Sequence, residues 1–75
     1  MRRITLDPAP ATWAELGRLF GLTCDSRNSF ERECLEIDEP LLVSAVNRKQ
    51  LDGNMQDALE SVQQKSDKVY VVWGK

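Results

Sequence analysis

The stretch Lys68-Val69-Tyr70-Val71-Val72-Trp73 constrains the fold of this chain more than any other. β-Branched and aromatic side chains suit a pleated strand, and they lose rotamer freedom in a helix. Side chains alternate along a strand, so Val69, Val71 and Trp73 face one way and Tyr70 and Val72 the other. A strand apolar on both faces predicts cover on both faces and an inner place in its sheet. The alternative is a sheet edge, with Lys68 and Lys75 as flanking gatekeeper charges and bare backbone groups open to a partner strand. A homodimer through residues 68–73 belongs to that alternative.

The rest of the chain reads as short elements. Arg3-Ile4-Thr5-Leu6 alternates polar and apolar residues and predicts a half-buried strand, which Asp7-Pro8-Ala9-Pro10 ends. Thr12 is an N-cap with Glu15 three residues on, and Trp13, Leu16, Leu19 and Phe20 then share a helical face up to Gly21. A second start signal at Asn28, with Glu31 three residues later, sets Phe30, Cys34 and Ile37 at helical spacing before Pro40. The apolar run Leu41–Val46 suits a buried strand or a buried helix turn, and Pro40 with the pairs Leu41/Ala45 and Leu42/Val46 favours helix. After Gly53, Asn54 is the expected N-cap, with Asp57 at the third position, of an amphipathic helix carrying Met55, Ala58, Leu59 and Val62. The expected fold is α+β, a small single domain over 1–75. It has three to four short helices with short N- and C-terminal β-strands paired to each other. Arg2 and Arg3 are either a contact-making arm or a disordered start.

Size limits the chemistry. A chain of 75 residues buries only about 60% of its unfolded surface. Nearly every apolar side chain then belongs to the core or to a partner, and an enclosed pocket of about 300 Å³ would be hard to spare. There is no histidine, so acid–base work would fall to carboxylates, Lys, Tyr or Cys. Cys24 and Cys34, ten positions apart, match no common zinc spacing and have no imidazole to activate them; buried, unreactive thiols are expected. Gly17, Gly21, Gly53 and Gly74 are too scattered to cradle a phosphate. The expectation is no enzyme, no catalytic residue, no cofactor and no metal. With no apolar run of about 18 residues and no signal-peptide core, no membrane partner is expected, and the expected compartment is the reducing cytoplasm.

Charge is unevenly spread. Ten Lys and Arg against twelve Asp and Glu give −2 overall. Residues 23–40 set Arg27 and Arg32 (+2) against Asp25, Glu31, Glu33, Glu36, Asp38 and Glu39 (−6), which is −4. An acidic middle repels a polyanion and attracts a basic groove on a protein.

The stretch Thr12–Glu33, TWAELGRLFGLTCDSRNSFERE, resembles the helix-turn-helix family over roughly a quarter of the chain. Gly17 stands where two helices would cross closely, Gly21 at the turn and Leu22 directly after it. The resemblance implies a DNA-binding transcriptional regulator in which Arg27 and Asn28 read base edges. Two departures weigh against it. Arg27 occupies a position where the family turns an apolar residue inward, and Cys24–Glu33 sets Asp25, Glu31 and Glu33 against Arg27 and Arg32, a net −1. The favoured expectation is a non-enzymatic protein-binding module that modulates a larger assembly, such as a transcription or defence machine, by inhibiting or regulating it. Nucleic acid is disfavoured by charge. Candidate partner-binding residues are Arg2, Arg3, Trp13, Arg27, Glu31, Glu33, Glu36, Asp38, Glu39, Tyr70 and Trp73.

Overall fold

In the computed structural model, which describes residues 1–45 and 47–74, the elements run β1 (Arg2–Leu6), α1 (Trp13–Leu19), α2 (Arg27–Cys34), β2 (Leu41–Ala45), α3 (Gly53–Lys65) and β3 (Val69–Trp73). A 3-10 turn at Arg48–Gln50 links β2 to α3. Val46 and Lys75 lie outside the described residues, and with them the Leu42/Val46 pair and the second flanking lysine. The small α+β domain with terminal strands is the architecture found.

The run expected to be helical is the central strand. β2 pairs in parallel with β1 (Ile4 beside Val43) and with β3 (Val43 beside Val71), giving the order β1-β2-β3. The terminal strands therefore flank β2 and do not pair with each other. Leu41, Val43 and Ala45 are buried while Leu42 and Ser44 are half-covered. A middle parallel strand has hydrogen bonds on both sides and tolerates a continuous apolar run, which no periodicity distinguishes from a helix turn. Pro40 ends the preceding turn instead of opening a helix; its carbonyl accepts from the Arg2 amide at 3.3 Å.

Parallel neighbours need crossovers, here through α1 and α2 and then through α3. Both crossovers share one hand, which puts all the helices on one face of the sheet. That face is the core: Ile4, Leu6, Val43, Val69 and Val71 meet Leu16, Phe20, Phe30, Leu59 and Val62. The other face carries the rows Arg3–Leu42–Tyr70 and Thr5–Ser44–Val72. Tyr70 is 47% exposed and Val72 53%, so β3 is covered on one side only and stands at an edge, contrary to the inner place expected of it.

Local chemistry explains the helix ends. The Glu15 amide donates to Thr12 Oγ1 at 3.1 Å, while the Glu15 carboxylate accepts from Ala11, one residue before the expected cap. Gly21 (φ 76°) ends α1 with a doubly bonded turn: Leu22 N–H donates to Gly17 O at 2.8 Å and Gly21 N–H to Arg18 O at 3.0 Å. The cap of α2 lies two residues ahead of Asn28, because Ser26 and Ser29 cap each other reciprocally. α3 starts behind Asp52 instead of Asn54, with the Asn54 amide on Asp52 Oδ1 at 2.8 Å. Phe20 meets Phe30 edge-on at 5.2 Å and ties α1 to α2.

Candidate protein-binding surface

The acidic residues fall on two elements. Glu31 and Glu33 ride on α2, and Glu36, Asp38 and Glu39 on the turn from α2 into β2. That turn is held along its length. Glu36 N–H donates to Glu33 O at 3.1 Å, Ile37 N–H to Cys34 O at 3.2 Å, and Leu41 N–H to Lys68 O at 2.8 Å. Ile37 packs against the core while Glu36, Asp38 and Glu39 are exposed. None of these three carboxylates has a cation within 4 Å among the described residues. Arg2, Ile37, Asp38, Glu39 and Leu41 line a shallow open depression of about 310 Å³. Arg2 thus joins the acidic turn, across the ladder rather than along the chain.

The remaining candidates are dispersed. Arg27 and Glu31 bind each other at 3.3 Å, one turn apart on α2, so their charges cancel. Glu33 is half-buried beside the thiols. Burial pushes the Cys34 thiol up to about 12, with the neighbouring Cys24, Glu33 and Glu31 adding to the shift. Burial, then Glu33, raises Cys24 as well. Both stay protonated at neutral pH and are poor nucleophiles. Trp13 is a lid on the core, with its ring 5.7 Å from that of Phe30. Trp73 packs against the core under the Arg48 guanidinium, 4.7 Å from the ring centre. Tyr70 and Arg3 share the open sheet face, where the Tyr70 hydroxyl donates to Asp67 O at 2.9 Å.

Among the described residues no polar or charged side chain is buried, and no three His, Cys, Asp or Glu come together to hold a metal ion. None of the described helices is long and apolar enough to cross a membrane. Thr5, Leu42, Ser44 and Val72, which complete the open face, are not among the candidate residues; alternation within Leu41–Ala45, read as strand, marks Leu42 and Ser44. Gln63 also escaped notice, because only its distance to the β3 backbone gives it a role. Compared with known proteins, the chain matches no protein-family model, no curated protein and no solved structure.

Proposed function

We propose that this chain is a non-enzymatic protein-binding module that modulates a larger protein assembly, and that the acidic α2–β2 turn docks on a basic groove of its partner. The observation that carries the reading is the state of Glu36, Asp38 and Glu39: exposed, without a cation within 4 Å among the described residues, and mounted on a turn bonded into the central strand. Charges displayed on a rigid support lose little freedom on association and steer encounter with a basic surface. Arg2, beside them, gives the patch a direction, since a correctly aligned partner sets an acidic group against it. The exposed thiolate, imidazole or buried carboxylate that catalysis would draw on is not among the described residues, which favours binding over chemistry.

The test is affinity capture from cell lysate with the natural chain and with a Glu36→Gln, Asp38→Asn, Glu39→Gln variant. The natural chain captures a protein whose retention falls with added salt, and the variant weakens it at least about tenfold while melting at the same temperature. Equal capture by both chains overturns the acidic docking site. Retention of DNA or RNA in place of protein at about 0.15 M salt overturns the reading and favours the helix-turn-helix alternative.

A further inference from the structure

The two edges of the sheet are finished differently. Backbone groups in a parallel strand alternate sides. On β3, Lys68 O accepts from Leu41 and Gly74 N–H donates to Ala45 O, so the even-numbered residues face β2 and Val69, Val71 and Trp73 point outward. The middle of that edge is plugged, since the Val71 amide donates to Gln63 Oε1 at 2.9 Å. On β1 the Arg2 amide donates to Pro40 O, so Arg2, Ile4 and Leu6 face β2 while Arg3 and Thr5 point outward. Their outward N–H and C=O groups have no partner among the described residues. Directly outside Thr5 lies an open groove of about 400 Å³ lined by Asp7, Pro8, Pro10, Glu15, Arg18 and Leu19.

We propose that the β1 edge pairs antiparallel with β1 of a second copy, about a two-fold axis at Ile4. Such an axis sets Arg3 opposite Thr5 of the second copy, and Thr5 opposite its Arg3. These are the two residues whose backbone groups point outward, so each pair exchanges two N–H···O bonds and the ladder is satisfied without a register shift. Charge favours a second copy over an unrelated strand. The edge carries both signs, and the two-fold sets each Arg3 diagonal to Asp7 of the other copy, two opposite-charge pairs against the single Arg3–Arg3 diagonal across the axis. The result is a continuous sheet ordered 3-2-1-1-2-3. This pairing does not rest on the acidic turn, which lies at the opposite end of β1 from Asp7.

Sedimentation equilibrium of the whole chain over a concentration series tests it. The contact is short, so monomer and dimer exchange with concentration. Thr5→Pro removes an outward N–H without touching the β2 ladder, and Arg3→Asp sets like charges diagonally; each weakens the dimer about tenfold or more. Adding Asp7→Arg to Arg3→Asp restores opposite charges and recovers association, an outcome that misfolding would not give. The proposal is overturned by a strict monomer up to about 1 mM, a dimer unmoved by both single variants, no recovery in the double variant, or a dimer broken instead by Val72→Asp on the open face. A monomer in which Thr5→Pro abolishes binding of another protein would assign the edge to that protein, which also overturns self-pairing.

Discussion

Gly17 is the position where one atom decides most. A Cβ built there would overlap Cys24 Sγ, so the thiol of the segment before α2 packs directly on the α1 backbone. Gly17→Ala would gain about 1 kcal/mol of helix propensity on an open helix. Here overpacking costs about 1–3 kcal/mol, and the net change is destabilising. Paired with Cys24→Ala, which removes the sulfur, the same substitution becomes neutral or stabilising; urea titration of the four chains of that cycle measures the difference. A stabilising Gly17→Ala alone would show that the two segments part easily. The residue pattern is legible in part: the sequence marks Gly17 as a close crossing of helices and its partner Cys24 as a small buried hydrophobe. Trp13 was not legible, because a tryptophan in a first helical turn has the same sequence whether it seals a core or faces a partner.

Among the elements, the strands at both ends and the helices around Leu16, Phe30 and Leu59 could be read from periodicity and caps, because each presents one apolar stripe. The central strand could not. Its partners lie far away in the chain on both sides, and the hydrogen bonds that make Leu41–Ala45 extended leave no local mark. The shifted starts of α2 and α3 have a simpler cause, since Ser26 and Asp52 are as good N-caps as Asn28 and Asn54, and local competition settles which is used. The edge of β3 shows a device visible only in three dimensions. Gln63→Ala on α3 frees the Val71 amide, and we expect a loss of about 1 kcal/mol with faster hydrogen exchange at Val71 but not at Val43. Unchanged protection at Val71 would mean that solvent or another group already satisfies it.

At the scale of the molecule, stability should respond to alkaline pH through the thiols. Cys34 ionises near 12 in the folded chain against an ordinary value of 9.0, and Cys24 is shifted the same way. The unfolded chain therefore loses these protons first as pH rises, so stability is constant from this source below about 9 and falls from there toward 12. Urea unfolding at pH 8 and pH 10.5 should show the drop, and a Cys24→Ala, Cys34→Ala chain should show less of it; equal slopes would dismiss the thiols as the cause. The candidate site was legible as composition, the acidic run 31–39, but not as a place. Arg2 reaches that run only through the β1–β2 ladder, and Glu31 leaves it by pairing with Arg27. The sheet order has one more effect. Because the middle strand comes from the middle of the chain, a polypeptide leaving the ribosome holds β1 and β2 long before β3 exists. Until β3 appears, the growing chain has an unfinished flank, and α3 has α2 to pack on but not the strand beside it.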